Sequence, residues 1–352
     1  MLPTPALAPL SLAYGAMVRA RLALYRAGLL RSRGVGAPVI SVGNITAGGT
    51  GKTPLVEWAA GALAEEGLRV CVLTRGYGRR DEWRRVVASD GERVLAEVSE
   101  SGDEPRLLAE RLAGRAAVVC DADRVAAARW AQEELGSQVF LLDDGFQHLR
   151  IARDLDIVTV DATAPWGGGR MLPGGRLREP LSSLARAGCV VITRADLAED
   201  LAGLRAEVAR LAGGRVPVFS SILRTNAVTP LEGPGGGVEP EGPFAAFCAV
   251  GNPRAFFAQL RKEGRELLYT RAFQDHHPYT QAEVDALARE AGRRGARALL
   301  TTAKDAVKLR GKDFALPCHV VEVGLEFDDR EGLLALLRGA AAGTEEGPAG
   351  AQ

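Results

Sequence analysis

The stretch of the chain best equipped for chemistry is Gly43-Asn44-Ile45-Thr46-Ala47-Gly48-Gly49-Thr50-Gly51-Lys52-Thr53. The apolar run Pro38-Val39-Ile40-Ser41-Val42 precedes it, and Leu55-Val56-Glu57-Trp58-Ala59-Ala60 follows as the start of a helix. A strand, a glycine-rich turn and a helix opening on Gly-Lys-Thr make a phosphate-binding loop. Its glycines let successive backbone N–H groups converge on phosphate oxygens at a helix N-terminus. Thr46, Ala47, Gly48, Gly49, Thr50 and Gly51 are the expected cradle. Lys52 would reach the β- and γ-phosphates, and the Thr53 hydroxyl would ligate Mg²⁺. Thr46 stands where the usual pattern has glycine, and Gly48 and Gly49 supply the flexibility instead. The pattern implies a nucleoside triphosphate site; the alternative is a glycine-rich surface turn with a chance lysine.

Asp143-Asp144 closes the apolar run Val139-Phe140-Leu141-Leu142. A carboxylate at a strand end beside a phosphate loop holds Mg²⁺ directly or through water. In isolation the same pair reads as a turn or a helix cap. Gln147 and His148 follow and are candidates to orient nucleotide or metal-bound water. Arg178-Glu179 lies in a loop rich in glycine and proline. Arginine grips phosphate with a planar fork, and Glu179 would complete the metal shell unless Glu179-Pro180 merely opens a helix over 181–187. Arg124 and Arg75 are further candidates for phosphate contact, each also readable as a solvated charge. His319 sits in an apolar strand and receives no role.

The elements that must position these residues alternate strand and helix. Strands are expected at 69–74, 116–119, 139–144, 156–160 and 189–193, with a helix over 121–135. Such alternation implies an α/β fold, a mostly parallel sheet flanked by helices on both faces. Ligands bind at the carboxyl ends of its strands, where these motifs fall. The Gly235-Gly236-Gly237 run marks 232–243 as a linker. Beyond it, strands at 244–250, 266–269, 298–302 and 319–323 and helices from Pro253, from Gln281 and up to Leu337 predict a second, smaller α/β domain. The expected organisation is a membrane-associating helix (1–36), a phosphate-loop domain (37–231), the linker, the smaller domain (244–338) and a disordered tail (339–352).

A chain of 352 residues is long enough for two cores. Its formal net charge of zero gives no field that favours nucleic acid. All five cysteines lie in or beside apolar runs without a Cys-x-x-Cys pair, which fits small buried hydrophobes in the reducing cytosol. The N-terminal segment is unlike the rest. Acidic residues are absent before Glu57, while Arg19, Arg21, Arg26, Arg31 and Arg33 accumulate. Leu10, Tyr14, Met17, Leu24 and Tyr25 fall on one helical face with Arg19 and Arg26 opposite. Pro3, Pro5 and Pro9 and many small residues argue against a full span. The reading is a helix lying on the cytoplasmic leaflet, each arginine contributing about 1 kcal/mol near an anionic surface. The alternative is a helix packed on the protein's own core.

Asp143-Asp144-Gly145-Phe146-Gln147-His148 is where a family becomes recognisable: the chain resembles the tetraacyldisaccharide 4'-kinases of the lipid A pathway. Further matches are Ser41-Val42-Gly43-Asn44 leading into the phosphate loop, Thr74-Arg75-Gly76-Tyr77-Gly78-Arg79 and Gly102-Asp103-Glu104-Pro105. So are Met171-Leu172-Pro173-Gly174-Gly175-Arg176-Leu177-Arg178-Glu179-Pro180, Asp275-His276-His277 and Thr301-Thr302-Ala303-Lys304-Asp305-Ala306-Val307-Lys308. Ala303 and Gly174 depart from the pattern without removing a catalytic group. The resemblance implies transfer of the ATP γ-phosphate to the 4'-hydroxyl of an acylated glucosamine disaccharide 1-phosphate, with Mg²⁺, at the cytoplasmic face of the inner membrane. It implies Asp103 as base, held by a histidine placed at His276 with His277 as the alternative; on local sequence alone, Asp103 is an equally good helix cap. Lys52 and Arg178 complete the expected catalytic set. Two rival readings are a membrane-partitioning ATPase switch acting through a protein partner and a soluble small-molecule kinase.

Overall fold

Residues 7–232 and 240–343 are described by the computed structural model of the chain. Short apolar runs bounded by glycine or polar turns build the strands, numbered here in chain order. They are β1 (Val39–Asn44), β2 (Val70–Thr74), β3 (Val86–Asp90), β4 (Ala116–Cys120), β5 (Val139–Asp143) and β6 (Leu155–Asp161). The remainder are β7 (Cys189–Thr193), β8 (Val218–Pro230), β9 (Phe244–Cys248), β10 (Leu267–Ala272), β11 (Ala298–Thr302) and β12 (Cys318–Phe327). Among the described residues they form one sheet in the order β10-β9-β11-β12-β8-β7-β6-β1-β5-β2-β4-β3. Pairing is parallel except for β3 with β4 and β8 with β12. Every residue of β1, β2, β4, β5 and β7 is buried, as helices on both faces of a parallel sheet require.

The phosphate-loop strand β1 lies between β5 and β6, with Val42 opposite Asp143. The sheet's register thus sets Asp143 beside the loop. The helix Lys52–Glu65 leaves the loop and buries Leu55, Val56, Ala59, Ala60 and Leu63. These pack with Ile40, Val72, Leu108, Val118 and Leu141 in the largest core cluster. The C-terminal half of the sheet has its own core around Phe247, Tyr279, Leu287 and Leu299.

Several elements differ from expectation for identifiable reasons. β3 and β8 were not foreseen, because both are partly exposed and mix polar with apolar residues. β8 matters most: it pairs with β7 in parallel and with β12 in antiparallel fashion, so the two halves share one sheet. The helix Arg330–Ala341 runs into the stretch expected to be a tail, and it packs on the N-terminal half through Leu333, Leu334 and Leu337. Trp58 and Phe327 close that contact with ring centroids 4.5 Å apart. Most of the expected linker (233–239), the first six residues and 344–352 lie outside the described residues.

The first helix, Ala8–Arg26, turns its faces differently from the expected stripe. Tyr14, Gly15, Leu22 and Tyr25 face the protein, while Leu10, Leu12, Met17 and Leu24 are exposed. Apolar residues occupy both sides, so periodicity alone could not say which side the protein would cover. Among the described residues no helix is long and apolar enough to cross a membrane.

Candidate active site

The phosphate loop is held open by hydroxyl groups from neighbouring strands. Asn44 Nδ2 donates to Thr50 Oγ1 at 2.9 Å, and the Thr50 and Thr159 hydroxyls are 2.8 Å apart. Thr193 Oγ1 donates to the Thr50 carbonyl at 2.9 Å. Gly51 sits at φ 77°, in the left-handed region, and turns the chain into the helix at Lys52. The first amide groups of that helix have no intrahelical acceptor and so remain available to an anion. Gly43 is the penultimate residue of β1, where a Cβ would come within 2.5 Å of Phe146 Cβ, so the strand passes the loop after β5 at a distance only glycine allows.

Lys52, Asp144 and Arg178 converge at the loop's mouth. Lys52 Nζ lies 3.3 Å from Asp144 Oδ1, and Arg178 Nη1 donates to Asp144 Oδ2 at 2.6 Å. Burial alone would raise the Asp144 pKa; Lys52 and Arg178 outweigh it and bring it down to about 2. Asp144 holds φ 53°, a conformation aspartate tolerates better than most residues. Its neighbour Asp143 is buried, accepts one long hydrogen bond from Thr74 Oγ1 (3.3 Å), and is pushed up to about 7 by desolvation and by the charges of Glu104 and Asp144. Gln147 Nε2 donates to the Asn44 carbonyl at 2.8 Å. Buried Arg124 opens the helix after β4 and donates to the Asp121 carbonyl at 3.0 Å.

Across the cleft a second constellation forms. His276 Nδ1 lies 2.8 Å from Asp103 Oδ1 and 3.0 Å from Asp103 Oδ2. Asp103 comes from the helix between β3 and β4, and His276 from the loop after β10, so each half of the sheet supplies one partner. Burial disfavours the Asp103 carboxylate, but the His276 hydrogen bond and the charges of Lys304 and Lys308 lower its pKa to about 2. The His276 pKa is raised, chiefly by the hydrogen bond to Asp103. The imidazole, with 23 % of its side chain exposed, faces the cleft; Asp103, at 5 %, stands behind it. The cleft, about 930 Å³, is lined by Lys52, Thr53, Asp143, Asp144, Arg178 and His276 among others.

The family model for tetraacyldisaccharide-1-P 4'-kinase matches residues 3–342. The chain belongs to the tetraacyldisaccharide-1-P 4'-kinase family. Its relatives include the tetraacyldisaccharide 4'-kinase of Geobacter metallireducens, 45 % identical over 86 % of this chain and 88 % of that protein. The enzyme of the same name from Anaeromyxobacter dehalogenans strain 2CP-C is 46 % identical over 86 % of this chain and 81 % of its own length. Among solved structures, LpxK from Aquifex aeolicus in an "apo" form in complex with ATP superposes with a TM-score of 0.75. It is 30 % identical and covers 97 % of this chain and all of its own.

Within this tetraacyldisaccharide-1-P 4'-kinase family member, most of the residues singled out from sequence meet in the cleft. Gly48 to Thr53, Arg124, Asp143, Asp144, Gln147, Arg178 and His276 all line it. Others do not. Thr46 bridges Leu177 and Ala47 N donates to the Arg176 carbonyl at 2.6 Å, so both support the loop from behind. Glu179 was expected in the metal shell, yet its buried carboxylate is held at 2.6 Å by Arg186, away from the cleft. His277 is taken by Glu283 at 3.0 Å and stacks on Phe273, leaving His276 as the partner of Asp103. His148 lines the cleft with its pKa lowered to about 4 by burial and by Arg124 and Arg150.

Sequence reasoning missed Arg194, Asp161 and Asn252. Arg194 Nη1 donates to Asp161 Oδ2 at 2.6 Å and to the Gly49 carbonyl at 3.0 Å, while Asn252 Nδ2 reaches Asp161 at 2.9 Å. Asp161 ends β6, which adjoins β1 in the sheet, and Arg194 directly follows β7, the next strand out. The strand-end rule alone would have singled them out.

Proposed function

We propose that this protein transfers the γ-phosphoryl group of ATP to the 4'-hydroxyl of an acylated glucosamine disaccharide 1-phosphate at the cytoplasmic face of the inner membrane. The observation that carries the reading is that one cleft holds a phosphate loop on one wall and a carboxylate–imidazole pair on the other. Nucleotide phosphates lie against the loop amides and Lys52, with Arg178 and Arg194 nearby. Thr53, Asp143 and Asp144 supply hard oxygen donors suited to Mg²⁺, and among the described residues buried Asp143 accepts a single long hydrogen bond. When bound there, Mg²⁺ neutralises phosphate charge.

The Asp103 carboxylate fixes the imidazole with Nδ1–H toward itself, which leaves Nε2 as the proton acceptor on the cleft side. As the sugar oxygen attacks the γ-phosphorus, its proton passes to His276 Nε2, the β–γ bridging bond breaks, and ADP leaves. The resemblance implied Asp103 as the base itself; its burial behind the ring instead favours His276 as acceptor and Asp103 as the group that orients it.

The first helix supplies the membrane side of the reading. Leu10, Leu12, Met17, Leu24, Leu29 and Leu30 are exposed alongside Arg19, Arg26, Arg31 and Arg33. An apolar surface with flanking arginines suits an anionic lipid interface. The same helix touches the cleft through Tyr14 and Arg21. A substrate whose acyl chains stay in the bilayer would thus present its sugar to the site.

The test is transfer of radiolabelled γ-phosphate from Mg·ATP to tetraacyldisaccharide 1-phosphate in detergent micelles, with Lys52→Ala and Asp103→Ala beside wild type. Labelled lipid from wild type and large losses in both variants are expected. Intact ATP hydrolysis without labelled lipid would sink the proposal in favour of an ATPase switch.

A further inference from the structure

The helix Ala303–Leu309 carries two lysines one turn apart, and both are turned toward the Asp103–His276 pair. Lys304 Nζ lies 2.9 Å from Glu104 Oε1 and 3.1 Å from Asp275 Oδ1. These carboxylates belong to the chain neighbours of Asp103 and His276, so one ammonium group ties the two backbone segments together. Lys308 Nζ lies 3.4 Å from Asp103 Oδ2 and 3.2 Å from Asp305 Oδ1. Asp305 is fully buried and anchored by Tyr279 Oη at 3.0 Å, Thr302 Oγ1 at 2.7 Å and the Ala249 amide at 3.1 Å.

We infer that Lys304 and Lys308 are positioning residues that clasp the two halves of the sheet and thereby assemble the Asp103–His276 pair. The inference rests on that pair serving as the base of the proposed reaction. Four carboxylates (Asp103, Glu104, Asp275 and Asp305) crowd this wall. Without the ammonium groups, Glu104 would repel Asp275, which drives the helix bearing Asp103 away from the loop bearing His276, and Asp103 would repel Asp305 on the lysine-bearing helix. Lys304 and Lys308 are 12 % and 7 % exposed at the side chain, so little solvent screens these contacts. Removing one partner from such a buried network leaves the others uncompensated.

The groups facing the imidazole are Asp103, Asp275 and Lys304, with Glu104 paired to Lys304 and the Tyr77 ring on another side at 5.2 Å. Loss of either ammonium leaves a more negative surrounding, which favours protonation of both members of the pair. The pair titrates as a unit. The acid limb of its activity profile should therefore move to higher pH, a response that a merely structural lysine would not produce.

The experiment is a kcat–pH profile of the full chain in lipid micelles for wild type, Lys304→Met, Lys308→Met, Lys308→Arg and Asp103→Asn. Dissociation constants for Mg·ATP are measured alongside. Both methionine variants are expected to lose about tenfold to a hundredfold in kcat, at most the lower end of the roughly 10²–10⁴ that general-base catalysis contributes. Their acid limb should shift upward, Mg·ATP affinity should be retained, and Lys308→Arg should recover part of the loss. Should Lys308→Met fail to fold, Lys304→Met decides, since its ammonium lies at the cleft wall. An unmoved acid limb, or kcat and Mg·ATP affinity falling together, would overturn the clasp. A silent Asp103→Asn would instead overturn the base on which it rests.

Discussion

Tyr14 donates its hydroxyl to the Arg178 carbonyl at 3.1 Å, fastening the first helix to the loop whose arginine grips Asp144. Arg21 donates to the Gln147 carbonyl at 3.1 Å, and Ser11 Oγ accepts from the Gly174 amide at 2.9 Å. One element therefore reaches the phosphate side of the cleft and, on the proposed reading, also serves its lipid side. Tyr14→Phe removes a hydrogen bond worth about 1 kcal/mol, so kcat should fall about fivefold. The ring stays inward, so binding to anionic vesicles should not change. Parallel losses in turnover and vesicle binding would show that Tyr14 acts on lipid instead.

Asp144 is the shared acceptor of Lys52 and Arg178, and its two contacts predict separable effects. Asp144→Asn removes the charge that sets both cations and one oxygen donor for Mg²⁺. Initial rates titrated with Mg²⁺ should show a raised half-saturation concentration together with a lower kcat. Lys52→Met removes the cation that, on the proposed reading, faces phosphate, while Arg178 still holds Asp144. It should cost about 10²–10³ in kcat and leave the Mg²⁺ midpoint in place. Identical Mg²⁺ curves for the two variants would count against this division of labour.

The difference between what was legible in sequence and what was not follows from the distance over which each feature is encoded. The phosphate loop and Asp143-Asp144 are local: an apolar strand, then the chemistry at its end. Asp103 and His276 are 173 residues apart and meet only through folding, so the resemblance alone linked them; it placed the histidine at His276, which lies on Asp103 while His277 meets Glu283. Glu179 read as a metal ligand because it follows Arg178 in a loop rich in glycine and proline. Its actual partner, Arg186, lies at the end of the next short helix, where sequence offered no reason to pair them. β8 escaped notice because its central residues mix polar with apolar side chains and are only partly buried.

The Asp103–His276 pair gives opposite pH signs to its two members. The His276 pKa is raised in the folded chain, so its contribution to stability is complete below the unfolded value and fades as pH rises through the folded one. Asp103 is lowered to about 2, so its contribution is present above the unfolded carboxylate value and is lost as pH falls toward about 2. The pair therefore stabilises most between the ordinary carboxylate and imidazole ranges. Activity runs the other way on the alkaline side, because proton acceptance needs neutral His276. Turnover should rise through a pKa above that of free imidazole while this contribution to melting temperature declines. His276→Gln should abolish both trends, as thermal melts and rate profiles over the same buffers would reveal.

Glu179→Gln separates a structural carboxylate from a metal ligand. The Glu179 carboxylate is 3 % exposed and receives Arg186 Nη2 at 2.6 Å, and the same guanidinium lies 4.2 Å over the Phe146 ring. Phe146 in turn packs against Gly43, the penultimate residue of β1. Neutralising Glu179 leaves a partly buried guanidinium without its counter-charge, while glutamine still offers an oxygen acceptor. A destabilisation of about 1–3 kcal/mol is expected, read as a lower denaturation midpoint. Because the carboxylate faces away from the cleft, the Mg²⁺ dependence of the remaining activity should match wild type. A raised Mg²⁺ half-saturation with unchanged stability would return Glu179 to the metal shell and require the loop of Arg178 to rearrange when nucleotide binds.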